Sequence, residues 1–296
     1  MSAPHPEKPV GFLGLPAEFR NPETARIAIL SVPYDATSTW QKGADKGPQA
    51  LIDASAAVEL YDIATGTEAY RHGIATLDPL VFDSGPEELA QRVDRAFTAL
   101  LDRDVFPVML GGEHSVSIGA FSAMKRRYPG LSILQIDAHG DTRETYEGST
   151  HNHACVMARA RELAPIVQVG IRAIDESETE KMSRKRVFFA HEIVDNPDRS
   201  WMDRALAGLT DDVYVTIDLD AFDPSVLPAT GTPEPGGLSW YEVDRLLEKV
   251  TSERNVVGFD VVELMPIPGQ RASEFAAAKL TYRLLSLIFA DRPQPE

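Results

Sequence analysis

Eight short apolar runs punctuate the chain: Ala25–Val32, Gly73–Leu77, Val105–Leu110, Leu131–Ile136, Ile166–Val169, Val187–Ala190, Val213–Ile217 and Val256–Phe259. Runs of this length, rich in Val, Ile and Leu and closed by Gly, Pro or polar residues, predict buried strands. Between them apolar residues recur at helical spacing. Gln49–Ile63 is one such segment. A second opens at Pro86, where a first helical residue is favoured, and carries Leu89, Val93, Phe97, Leu100 and Leu101 on one face. Further helices are predicted from GGEHS (111–115) to about Arg127, over Ala154–Leu163, over Trp201–Leu209 and over Glu274–Phe289, with a charged helix between the fifth and sixth runs. Ser239 and Glu242 have the capping-box spacing and open a helix to about Val250. Strands alternating with helices from end to end predict one layered α/β domain, residues 1–296, with a mainly parallel sheet. Met1–Pro9 and Asp291–Glu296 read as frayed ends.

Four of the runs end in residues of one chemical kind. Val105–Leu110 leads to His114, and Leu131–Ile136 to Asp137, His139 and Asp141. Val213–Ile217 leads to Asp218 and Asp220, and Val256–Phe259 to Asp260 and Glu263. In a parallel sheet the carboxyl ends of the strands face one edge of the domain, where open α/β sheets bind ligands. In extended chain alternate side chains share a face, so Asp137, His139 and Asp141 can point together. Carboxylates buried side by side are costly unless a cation lies among them. Two imidazoles and four carboxylates suit two near-octahedral ions with shared ligands, and an oxygen-rich donor set favours Mn²⁺ over Zn²⁺. Two such ions about 3.5–4 Å apart can hold a bridging water and lower its pKa towards neutrality. The loop Tyr34–Pro48, rich in glycine and polar residues, is long enough to be functional or a plain surface excursion.

Charge narrows the partners. With 29 basic and 45 acidic residues the formal net charge is −16, which disfavours nucleic acid and anionic membranes and suits a small cationic substrate. A two-metal phosphoesterase is the rival enzyme class, but the chain has no phosphate-cradling GxxxxGK[ST] loop and its charge would repel such substrates. A non-catalytic scaffold would be expected to lack part of such a donor set, whereas His114, Asp137, His139, Asp141, Asp218 and Asp220 are all present. The single cysteine, Cys155, permits no internal disulfide and is expected to be a packing residue. No apolar run approaches the ~20 residues of a membrane span, and the first nine residues do not resemble a signal peptide, so a cytoplasmic protein is expected.

GGEHS (111–115), DAHGDT (137–142), HACVM (153–157), TIDLDAFDPSVLPATGTPEPGG (216–237) and VVELMP (261–266) together resemble the ureohydrolase family, which includes arginase, agmatinase and guanidinobutyrase. The loop 34–48 resembles its N-terminal signature. The resemblance implies a three-layer α/β/α fold around a mainly parallel sheet of about eight strands, a site with two Mn²⁺, and a homo-oligomer, commonly a trimer or hexamer. It implies that His114 and Asp141 hold one metal, that His139 and Asp220 hold the other, and that Asp137 and Asp218 bridge them. Glu263 would hold the guanidinium group, and His153 would shuttle protons at the mouth of the site; His151 is expected to be a solvated loop residue. Asp141 would pass a proton to the departing amine after a metal-bridging hydroxide attacks.

Departures from the commonest pattern bear on substrate. Arg143 stands where arginases usually place the Asn that reads the head group of arginine, which argues against arginine. The DTRETYEG…HACVM version looks most like bacterial and archaeal agmatinases, so agmatine, cleaved to urea and putrescine, is the expected substrate, with guanidinobutyrate or arginine as alternatives. Glu144 and Glu147 could attract the distal ammonium of agmatine, whereas Arg143 in the pocket would suit a carboxylate-bearing guanidine. Glu113, where many members have Asp, is expected beside the metal ligands rather than among them. Gly140 replaces a bulkier residue and is expected to open the site slightly.

Overall fold

In a computed structural model that describes residues 11–194, 196 and 198–291, all eight apolar runs form strands of a single parallel sheet. The strands are β1 (Ile27–Val32), β2 (Ile74–Thr76), β3 (Phe106–Gly111), β4 (Ser132–Ile136), β5 (Ile166–Ile171), β6 (Val187–Phe189), β7 (Asp212–Asp218) and β8 (Asn255–Val262). Their order across the sheet is β2-β1-β3-β8-β7-β4-β5-β6. The expected frayed ends lie outside the described residues, apart from Asp291. Among the described residues no helix is long and apolar enough to cross a membrane.

The helices are α1 (Gly47–Ser55), α2 (Pro86–Leu101), α3 (Ser117–Arg127), α4 (Val156–Leu163), α5 (Ala190–Val194), α6 (Ser200–Ala207), α7 (Trp240–Glu253) and α8 (Ala272–Phe289). Strand side chains alternate between two cores, as the pleat requires. On β1, Ile27 and Ile29 join α1, α6, α7 and α8, whereas Leu30 and Val32 join α2, α3 and α4. Helices therefore cover both faces, giving three layers, and each fully buried Leu, Ile or Phe in them is worth about 1.5–3 kcal/mol. Ser239 caps α7 in the predicted reciprocal manner with Glu242.

Three local expectations are corrected. The helix expected over 49–63 stops at Ser55, whose hydroxyl donates to Ile52 O and accepts from Leu13 N. Asp62 then holds a separate turn by accepting from Ala64 N, Thr65 N and Arg283; Ile63, at the far end of the expected helix, is 88% exposed. The charged helix between β5 and β6 is a short 3-10 helix, Glu176–Lys181, opened by an Asp175–Glu178 capping box. The sixth strand ends one residue early, since Ala190 already begins α5.

Candidate active site

The strands that end in acidic residues and histidine, β3, β8, β7 and β4, are the contiguous middle of the sheet. Their carboxyl ends therefore converge. His114 follows β3 in a 3-10 turn (His114–Val116) whose N-cap is Glu113. Gly112 is required there: a Cβ would lie 1.9 Å from Tyr34 O. His114 Nδ1 lies 3.1 Å from Asp137, 3.2 Å from Asp141 and 3.4 Å from Asp218. His139 Nδ1 lies 2.9 Å from Asp220 and 3.7 Å from the other oxygen of Asp137. Two groups of potential ligand atoms result, His114–Asp137–Asp218 and Asp137–His139–Asp220, and they share Asp137.

Backbone amides fix these carboxylates. Asp137 accepts from His139 N (2.6 Å), Asp218 from Asp220 N (2.8 Å) and Asp220 from Ala138 N (3.1 Å). Asp141 and Glu263 both adopt left-handed backbone, with φ of 50° and 66°, a strain typical of sites whose surroundings over-determine them. Glu263 N donates to Gly112 O, and its Oε1 accepts from His114 N at 2.8 Å.

The electrostatics call for cations. Burial, then the charges of Asp220 and Asp141, pushes Asp137 up to about 7. Burial, then Asp220 and Asp137, pushes Asp218 well above the carboxylate range, and burial with Glu113 and Asp220 does the same to Glu263. Burial also acts on Asp220, but the charge and hydrogen bond of His139 outweigh it and hold Asp220 at about 2. The donor set fits a pair of divalent ions, because His114 Nδ1 is buried among three carboxylates without a hydrogen bond. Its other nitrogen is engaged: Nε2 meets Thr216 Oγ1 at 2.9 Å, and that hydroxyl donates to Asp260 at 2.6 Å. With Thr216 committed as donor to Asp260, Nε2 carries a proton, and Nδ1 is the nitrogen directed at the cluster and available to a metal ion. Asp260, completed by Tyr214 Oη at 2.9 Å, thus braces the candidate ligand His114 through Thr216.

A cleft of about 280 Å³ opens over the cluster. Asp141, His139, Asp218, Asp220 and Glu263 form its floor, and His153, Arg143, Tyr146, Asp175, Glu178, Thr39 and Glu234 are among its walls. His153 is held at the mouth by Thr37, its Nδ1 3.2 Å from the hydroxyl and its backbone N donating to the same oxygen. The loop 34–48 therefore belongs to the site. Arg143 stacks on Tyr146, 4.6 Å from the ring centre, and stands 3.7–3.8 Å from Asp175 and Glu178.

Other expected residues lie elsewhere. Glu147, offered above as a substrate contact, is exposed and does not line the cleft. With φ of 46°, followed by Gly148 at 82°, it is the tip of a two-residue turn closed by Tyr146 and Ser149. Glu144 is engaged by Arg159, Arg161 and Lys181. His151 sits beside Thr150 and 4.0 Å from Glu87. Cys155 is buried, and burial with the charge of Asp141 pushes its thiol up to about 11. Gly140 opens nothing: a Cβ there would lie 2.9 Å from Ile174 and 3.0 Å from Glu178. Glu113 is buried and accepts from Ser115 N and Oγ.

Sequence reasoning missed four polar side chains, three of them buried and the fourth, Arg172, half-buried. Gln135 donates to Asp137 at 2.6 Å and accepts from Gln168. Glu178 accepts from Thr142 N at 2.7 Å and so anchors the backbone beside Asp141. Arg172 donates to the backbone carbonyls of Asp220 and Glu234, each at 2.7 Å. An amide inside a strand buried on both faces, as Gln135 and Gln168 are, was the available signal.

Comparison with known proteins agrees with this geometry. The Arginase family matches residues 25–286. The chain is 40% identical to the N(1)-aminopropylagmatine ureohydrolase of Synechocystis sp. over 88% of each chain, and 32% identical to the agmatinase of Pyrococcus horikoshii over 89% of this chain and 92% of that one. The crystal structure of agmatine ureohydrolase of Thermoplasma volcanium superposes with a TM-score of 0.84 at 30% identity, covering 93% of this chain and 94% of its own. With its sheet, its motifs and its relatives in agreement, the chain belongs to the arginase family, the ureohydrolases that its sequence resembles.

Proposed function

We propose that this ureohydrolase of agmatinase type releases urea from the guanidino end of a linear, amine-bearing substrate, either agmatine or N(1)-aminopropylagmatine, with two Mn²⁺ held by His114, Asp137, His139, Asp141, Asp218 and Asp220. The carrying observation is the pair of ligand groups that share Asp137 around an unbonded His114 Nδ1, with Glu263 alongside. The aminopropyl form has specific support, since the 40% identical relative bears that name. The paired ions, when bound, supply a water that ionises near neutral pH.

The protein's own residues do the rest. Glu263, buried and pushed up as a free acid, is relieved by a cation, and a carboxylate matches the paired N–H groups of a guanidinium. Asp141 accepts a proton and returns it to the departing amine. His153, its Nδ1 tied to Thr37, offers Nε2 for exchange with solvent at the mouth. The donor set, two nitrogens and otherwise oxygen, favours manganese over zinc. A homo-oligomer, trimer or hexamer, is part of the same reading, and light scattering tests it.

The test is urea release with Mn²⁺ from agmatine, N(1)-aminopropylagmatine, 4-guanidinobutyrate and arginine, each assayed alone. Urea from the first or second is the expected result. Urea from none, with hydrolysis of a phosphate ester instead, would transfer the protein to the rival two-metal class.

A further inference from the structure

The cleft contains more carboxylates than the metal cluster uses, and all but one already accept a hydrogen bond. Glu263 accepts from His114 N. Glu178 accepts from Thr142 and Asp175. Asp175 accepts from Ser177 N and Oγ. Among the described residues Glu234 alone lines the cleft with a half-buried carboxylate outside the cluster that has neither a hydrogen bond nor an ion pair. Arg172 acts on this carboxylate only through space, and a charge without a direct partner at a walled position suits a ligand of opposite sign.

The segment that carries Glu234 is held rigidly. Pro233 and Pro235 flank it and restrict the backbone on both sides. Arg172 ties Glu234 O to Asp220 O, so this segment is braced directly to a candidate metal ligand. Asp223 accepts from Gly236 N and Gly237 N and pins the following turn. Thr232, two residues before Glu234, reaches Asp220 Oδ2 at 3.5 Å. With the backbone fixed in this way, only the side-chain rotamers of Glu234 remain to be ordered on binding. On another wall stands Arg143, a cation that disfavours an ammonium beside it.

Resting on the ureohydrolase reading above, we propose that Glu234 is the specificity residue that binds the distal ammonium of the substrate, with the guanidino group at Glu263. The residue acts on substrate choice and not on the reacting atoms. It takes the role that sequence reasoning gave to Glu144 and Glu147.

Steady-state urea release separates the two claims. The wild-type protein with Mn²⁺ is assayed on agmatine and on butylguanidine, which has the same guanidinium and an uncharged tail. Agmatine is expected to have the lower KM. Glu234→Gln, nearly isosteric, is expected to raise KM for agmatine about tenfold, as loss of one charge-assisted contact would, and to leave its kcat and the KM of butylguanidine within about twofold. An unchanged agmatine KM, or equal rises for both substrates, overturns the proposal and leaves the ureohydrolase reading intact. Wild-type preference for 4-guanidinobutyrate over agmatine overturns it as well, and absence of urea from every guanidine removes both.

Discussion

The floor of the cleft and its rim are built by different means. The floor comes from the ends of four adjacent strands, and its carboxylates are buried and held by backbone amides at Asp137, Asp218 and Asp220. The rim comes from loops: His153 is held by Thr37, Arg143 lies on Tyr146, and Glu234 stands between two prolines. Sheet geometry gives the floor one arrangement, whereas each rim side chain is placed by its own local partners, as His153 is by Thr37 and Arg143 by Tyr146. On the proposal above, chemistry belongs to the strand ends and substrate choice to the loops, a division common in enzymes with loops on a fixed scaffold.

The sharpest way to break this contrast is to remove a residue from the floor. Asp218→Ala or His139→Ala is expected to keep its far-ultraviolet circular dichroism, lose bound metal and lower urea release at least about a thousandfold, since bound metal supplies several kcal/mol of transition-state stabilisation. Full activity in either variant would separate the cluster from the chemistry. One step out from the ligands, Thr216→Val removes the hydroxyl that orients His114. Manganese affinity, measured by calorimetry, should fall about 10- to 100-fold, with turnover restored at saturating metal.

Acidity distinguishes floor from rim without mutation. In the metal-free protein Asp137, Asp218 and Glu263 have folded pKa values above their unfolded ones. Their contribution to stability is present at low pH and is lost as pH rises, through about 7 for Asp137. His114 and His139, also raised, contribute below the ordinary imidazole value and lose that contribution at higher pH. Asp220, held at about 2, acts in the opposite sense, but its loss falls below that window. With a chelator present, Tm should therefore fall between pH 5 and pH 8. Mn²⁺, which takes deprotonated ligands, should raise Tm more at pH 8 than at pH 5; an equal rise at both would contradict the assignment. The smallest effect lies beyond the rim: Glu147→Gln, exposed and away from the cleft, should move no kinetic constant by more than about twofold.

What could be read from sequence follows the same division. An apolar run that ends in Asp137-Ala138-His139 states both its strand and its candidate ligands, because alternation in extended chain fixes which side chains share a face. Eight strands and seven of the helices were legible on that basis. The end of α1 was not, because Ser55 and Asp62 make their stopping bonds with Leu13 and Arg283, far away in sequence. The cleft walls were equally hidden. Glu178 reaches Thr142, Arg172 reaches Glu234, and Ile174 fills the space beside Gly140. Spacing along the chain carries no trace of such contacts, and Glu144 and Glu147 were attractive as substrate contacts only because they follow Asp141 closely.

Anomalous X-ray scattering at the manganese edge, from crystals of protein loaded with Mn²⁺, tests the central claim most directly. Two peaks per chain are expected, one coordinated by His114 Nδ1 and one by His139 Nδ1, both in contact with Asp137. A map with no peak among these residues, at a metal concentration that supports urea release, would contradict the account.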